Sequence, residues 1–142
     1  MITTYGIFLI NEKNELLITH PTGMSKHSWS IPKGRAEDNE LFIETIQREL
    51  YEETNLKIDF TDDYIVLPIS VYKSNRKRLY SILYRVNSED HKDVELKCDS
   101  IVEELNIPEN DIIKWLDFDK CYDLIFDSQV KLLKYIKEEN LL

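Results

Sequence analysis

No stretch of the chain approaches the roughly 20 consecutive apolar residues that a membrane helix needs. The N-terminal MITTYGIFLINEKNE has neither a basic leader nor a long apolar segment. The sequence therefore predicts no membrane span and no secretory signal, and the expected setting is cytoplasmic. Cysteine is scarce: Cys98 and Cys121 lack C-x-x-C or zinc-like spacing, so nothing calls for a disulfide framework or a thiolate metal site, and both are read as reduced thiols. Positive charge is also in deficit. With 18 Lys and Arg against 27 Asp and Glu, the formal net charge is -9, which argues against an extended nucleic-acid surface, because that affinity comes from many cations neutralising phosphates. An anionic ligand has to be met locally, by a metal ion or by a small basic patch.

What the chain does have is apolar content sufficient for a core, 42% hydrophobic and 11% aromatic over 142 residues, which predicts one domain over 1–142. Gly6 to Ile10 and Leu16 to Thr19 are short apolar runs joined by a polar turn and read as a strand hairpin. Leu41 to Asn55 carries apolar residues at Phe42, Ile43, Ile46 and Leu50, a helical spacing, with Asn55 placed to end the helix in the left-handed conformation. Tyr64 to Tyr72 and Leu79 to Val86 are further strand candidates, the first interrupted by Pro68. Ser100 with Glu103 three residues on resembles a capping box and predicts a short helix through Leu105. Asp111 to Leu116 is expected to be the last strand, and Asp119 to Glu138 an amphipathic closing helix.

The informative segment is GRAEDNELFIETIQRELYEETNL, Gly34 to Leu56. Glu49, Glu52 and Glu53 lie at i, i+3 and i+4, so at roughly 100° per residue they share one side of the helix. Carboxylates that crowded repel, and a hard divalent cation relieves the repulsion; an all-oxygen set suits magnesium, with manganese as a substitute. On its own, E-x-x-E-E also describes a solvated acidic face.

The wider pattern decides between these. Gly34, Glu40, Arg48, Glu49, Leu50, Glu52, Glu53 and Leu56 stand at the spacing G-x5-E-x7-R-E-U-x-E-E-x-x-U, where U is a bulky apolar residue. This resembles the signature of the Nudix hydrolases, with Asn55 standing where the family has glycine. The resemblance implies an α/β fold, a Nudix-type α/β/α sandwich with a mixed sheet, and a pyrophosphohydrolase activity. It implies that Glu49, Glu52 and Glu53 ligate magnesium with the carbonyl of Gly34, and that Glu40 pairs with Arg48 to hold helix and loop together. Asn tolerates the left-handed conformation next best after glycine, so the loop is expected to keep its geometry.

Further stretches are similar to the branch of that family that hydrolyses diadenosine polyphosphates. Trp29, Pro32, Lys33 and Gly34 look like its W-x-x-P-K-G, which makes Lys33 a candidate phosphate contact. Tyr72 falls where that branch carries a base-stacking tyrosine, and Lys77 follows five residues later. Lys73, Arg76 and Arg78 complete one local basic patch. Pro108, Glu109, Asp111 and Trp115 look like P-E-x-D-x-x-x-W, which makes Glu109 a fourth acid beside the catalytic candidates Glu52 and Glu53. Glu103 and Glu104 compete with it for the role of base. The expected partner is a small nucleotide, first a dinucleoside polyphosphate such as diadenosine tetraphosphate. The alternatives are an RNA 5'-end, a diphosphoinositol polyphosphate, and a non-catalytic nucleotide-binding module. The branch often has histidine directly before the tryptophan, whereas Ser28 stands there and His27 one place earlier, so His27 is expected to be an exposed loop residue.

Overall fold

The computed structural model describes residues 1–142. Nine strands and two helices follow in the order β1 (Ile2–Ile10), β2 (Glu15–Pro21), β3 (Lys33–Gly34), α1 (Phe42–Thr54), β4 (Ile65–Val66), β5 (Ser70–Tyr72), β6 (Lys77–Arg85), β7 (Ile101–Val102), β8 (Ile107–Pro108), β9 (Asn110–Asp117) and α2 (Asp127–Glu138). Seven of the strands form one mixed sheet. Along its main path the order is β4-β6-β1-β2-β9, with β3 against β1 and β5 against β6. β1 and β6 run parallel from Ile2 beside Lys77 to Ile10 beside Arg85, and the remaining pairings are antiparallel.

The run Ile7 to Ile10 is continuously apolar because successive side chains point to opposite faces and both faces are covered. Ile7 and Leu9 join Leu17, Ile46, Leu50, Leu56 and Ile82 under α1. Phe8 and Ile10 join Leu16, Ile18, Leu132, Leu133 and Ile136 under α2. Each of these buried side chains contributes about 2 kcal/mol of transfer free energy. The expected α/β/α sandwich is therefore what the chain builds, one core on each side of the sheet.

Two expectations need correction. Ser100 to Leu105 is not helical: β7 and β8 pair as a small hairpin, Ile101 beside Pro108 and Val102 beside Ile107. Asn106 closes its turn at φ 52°, and the N–H of Ser100, which a capping box would tie to the Glu103 side chain, goes instead to the carbonyl of Glu52 at 3.3 Å. The closing helix starts at Asp127 rather than Asp119, after a single 3-10 turn at Phe118–Lys120. The reason lies across the molecule: Leu124 O accepts the N–H of Trp29 at 2.9 Å and Phe126 N–H donates to Trp29 O at 3.2 Å, which draws this segment into an extended bridge. The interruption expected at Pro68 is present: Tyr64 to Tyr72 holds two short strands broken at Leu67–Ile69, where Pro68 cannot donate to the ladder.

Ser30 to Gly34 slots between β1 and β2. Ser30 exchanges backbone bonds of 2.7 and 2.8 Å with Thr19, while Pro32 O accepts Ile7 N–H at 3.1 Å. Gly6 makes the close passage possible, since a Cβ there would lie 2.9 Å from Ile31 Cδ1 and 3.0 Å from Lys33 Cβ. The insertion brings Lys33 and Gly34 over the second half of α1.

Candidate active site

α1 begins where Glu44 accepts the N–H of Leu41 at 2.9 Å and ends at Asn55, which takes the left-handed conformation at φ 71°. Ile46, Leu50 and Glu53 share the buried face of the helix, and Glu49 adjoins it, so that both acids lie against the inserted strand. Glu53 is only 8% exposed and accepts the N–H of Lys33 at 3.0 Å. The Glu49 side chain is 12% exposed and that of Glu52 is 39%.

Burial pushes the Glu49 carboxyl up to about 7, with Arg48 opposing and Glu52 and Glu109 adding to it. Glu53 is raised well above 4.5, first by burial and then by the neighbouring Glu49. Burial and then Glu52 raise Glu109 as well. Glu109 therefore belongs to the same electrostatic group, reached from the β8–β9 turn. Glu103 and Glu104 sit exposed at the tip of the β7–β8 hairpin.

Arg48 is more widely connected than a simple pair with Glu40. Its Nε and Nη2 donate to Glu40 at 2.8 and 3.0 Å, its Nη1 to Glu49 at 2.9 Å and Glu52 at 3.2 Å, and Nη2 also to Arg35 O at 2.8 Å. The guanidinium holds the Glu40 carboxyl down at about 2. It fixes the loop after Gly34 to α1 while touching two of the three clustered acids.

No three acidic, histidine or cysteine side chains close on one point, so the acids do not stand as a ready-made cage. Their chemistry nevertheless suits a hard cation: two buried carboxylates, each raised by desolvation, and no side-chain cation within ion-pair distance of Glu53. Gly34 matters here for space. Its φ is not positive, yet a Cβ would fall 2.0 Å from the carboxyl carbon of Glu49. Gly34→Ala is therefore expected to displace that carboxylate and lower turnover by about tenfold or more, measured against wild type at saturating metal; unchanged turnover would show that the position of Glu49 is not critical.

Two cavities meet at this point. One is lined by Lys33, Glu53, Glu109 and Phe126, with Thr19 and Ser30 behind. The other, 330 Å³, is lined by Lys33, Tyr72, Lys73, Lys77, Phe126 and the start of α2. The Lys77 ammonium is held below its ordinary value by Lys73 beside it, with Lys33 contributing. The structure thus brings Lys33, Tyr72 and Lys77 together, while His27 is exposed in its loop.

Sequence reasoning missed Phe126, Gln129 and His20. Gln129 is buried and clamps the inserted strand, accepting Ile31 N–H at 3.0 Å and donating to Ser30 Oγ at 2.9 Å. His20 Nδ1 lies 2.7 Å from Asp111 and Nε2 2.8 Å from Ser25 O. Both partners are acceptors, so the ring satisfies both only as imidazolium. Burial opposes that charge, and the bonds to Asp111 and Ser25 outweigh it, raising the pKa. None of the three lies in a local motif, so only a paired-strand register would have pointed to them.

Residues 2–133 match the NUDIX domain family. An RNA pyrophosphohydrolase of Pelagibacter ubique (strain HTCC1062) is 25% identical over 144 residues, covering 94% of this chain and 87% of that protein. Among solved structures, a C. elegans Ap4A hydrolase binary complex superposes with a TM-score of 0.71 at 16% identity, over 99% of this chain and 98% of the other. The NUDIX domain of Shewanella oneidensis NrtR complexed with ADP ribose also gives 0.71, at 13% identity, over 100% and 89%. This chain belongs to the NUDIX family. With the family comes the enzyme class that the motif implied, a pyrophosphohydrolase, and members of the family generally use divalent metals. No helix is long and apolar enough to cross a membrane.

Proposed function

We propose that this chain hydrolyses a phosphoanhydride bond in a nucleoside diphosphate-linked substrate, with a dinucleoside polyphosphate such as diadenosine tetraphosphate as the first candidate. The observation that carries the reading is the pair of adjoining cavities, one acidic and one lined by Tyr72 and Phe126, which share Lys33. A polyphosphate over the acids would leave its base beside two aromatic rings. Glu49, Glu52, Glu53 and the carbonyl of Gly34 would hold magnesium, or manganese in its place. A divalent ion bound there would supply charge to balance the phosphate oxygens and would lower the pKa of a bound water.

The protein's own groups do the rest. Lys33 meets the oxygens of the leaving phosphates as a point charge. Glu53, or Glu52 or Glu109 in its place, accepts the proton of the attacking water. Arg48 keeps Glu49 and Glu52 oriented, and Tyr72 stacks on the base. Tyr72→Ala is expected to raise KM for dinucleotides about tenfold and to leave KM for short inorganic polyphosphates nearly unchanged. An equal rise for both removes the stacking role.

A second reading, an RNA 5'-end as substrate, is favoured by the full-length similarity to an RNA pyrophosphohydrolase. Against it stands the shortness of the basic track, Lys73, Arg76, Lys77 and Arg78 in an otherwise acidic chain. The deciding experiment is product release from diadenosine tetraphosphate, ADP-ribose, nucleoside triphosphates and triphosphorylated RNA, with and without magnesium. Metal-dependent ATP plus AMP from the tetraphosphate supports the first reading, pyrophosphate from RNA the second. Silence beside tight nucleotide binding would assign the chain to the non-catalytic modules.

A further inference from the structure

The last carbonyls of a helix have no partner within it and must be met from outside. At the end of α1 that partner is a strap, Glu95 to Ser100, which has no regular secondary structure. Glu52 O accepts the N–H groups of Asp99 at 2.7 Å and Ser100 at 3.3 Å, and Thr54 O accepts that of Lys97 at 3.2 Å. The Asn55 side chain adds a fourth tie, Nδ2 donating to Glu95 O at 3.0 Å. At the strap's far end Ser100 O accepts the N–H of Glu109 at 2.9 Å, and Glu109 O in turn accepts that of Thr22 at 3.0 Å. Backbone bonds thus run without a gap from Glu52 to Glu109.

We propose that Asn55 is a positioning residue, whose amide holds the Glu95–Ser100 strap on the end of α1 so that the strap sets where Glu109 stands relative to Glu52 and Glu53. The inference rests on the catalytic reading of those three acids. Glycine would serve the backbone at φ 71° at least as well as asparagine. What asparagine adds is a donor, and that donor is used on the strap. Helix end and strap therefore form one device, joined by that donor and by the three backbone bonds beside it. Glu53 and Glu109 line the same cavity, and Ser100 is bonded to Glu52 O on one side and to Glu109 N–H on the other, so a shift of the strap moves Glu109 relative to the acids of α1.

Two substitutions test this. Asn55→Gly keeps the left-handed turn and removes the donor; Asn55→Asp keeps the size and shape but faces Glu95 O with an acceptor. Both are expected to fold, to lower kcat about fivefold at unchanged KM, and to speed amide hydrogen exchange at Lys97, Asp99 and Glu109. Wild-type kcat in Asn55→Gly despite faster exchange would overturn the positioning role, and unchanged exchange would show that the amide does not hold the strap. A loss confined to Asn55→Gly would trace to backbone freedom and also overturn it. Hydrogen exchange needs no substrate. If the wild-type protein cleaves no substrate in the panel, the catalytic reading fails separately, and exchange at Glu109 still decides: faster in both variants supports the tie, unchanged overturns it.

Discussion

Glu53→Gln is expected to lower turnover by about two to three orders of magnitude while leaving the melting temperature of the metal-free protein unchanged or raised. The glutamine oxygen still accepts the N–H of Lys33, the hydrogen bond this carboxylate makes. What disappears is a charge held in a site only 8% exposed beside Glu49, an arrangement that folding tolerates at a cost. Wild-type turnover would remove Glu53 from the catalytic groups, and a fall of many degrees in Tm would make the carboxylate structural.

The same acids set a pH dependence. Glu49 titrates near 7 when folded against 4.5 ordinarily, so the folded state binds its proton more tightly. Stability of the metal-free protein therefore rises as pH falls from above 7 toward 4.5, by about 3 kcal/mol from this group. Glu53 acts in the same direction. His20, raised above 6.5, contributes stability that is present below 6.5 and lost as pH rises through its folded value. Glu40, lowered to about 2, contributes stability that is present above 4.5 and lost as pH falls toward 2. Metal-free Tm should peak near the ordinary carboxylate range. Magnesium should raise it most at alkaline pH, and less in Glu53→Gln than in wild type.

Arg48→Met is expected to cost about 2–4 kcal/mol of stability, read as a lower urea midpoint, together with most of the turnover. Removing this guanidinium, 22% exposed, strands Glu40 at 13% exposure and Glu49 at 12% without their cation. It also releases Arg35 O. Arg48→Lys should not rescue, because one ammonium cannot meet Glu40 bidentately and still reach Glu49 and Glu52. The double variant Glu40→Leu/Arg48→Met should recover part of the stability and none of the activity. Wild-type behaviour of Arg48→Lys would reduce the network to simple charge balance.

How much was legible in the sequence depended on how local the cause was. The spacing of Glu49, Glu52 and Glu53 on α1, the ending at Asn55 and the interruption at Pro68 are consequences of residues within one or two turns of each other, and each was readable. The expected helix at Ser100 to Leu105 was misread because the backbone donor of Ser100 goes to Glu52, on another element. The early start assigned to α2 was wrong because Trp29, nearly a hundred residues away, takes the backbone groups of Leu124 and Phe126.

The sequence by itself determined the family motif and the spacing of the acids on one helix, since residue spacing acts over short range, and the resemblance carried by that motif implied the sandwich. Only the tertiary structure decided that Arg48 spans three carboxylates, that Phe126 joins Tyr72 at a shared cavity, and that Asn55 ties down a strap ending at Glu109. Those contacts join segments far apart in the chain, and their partners are chosen by strand register and burial.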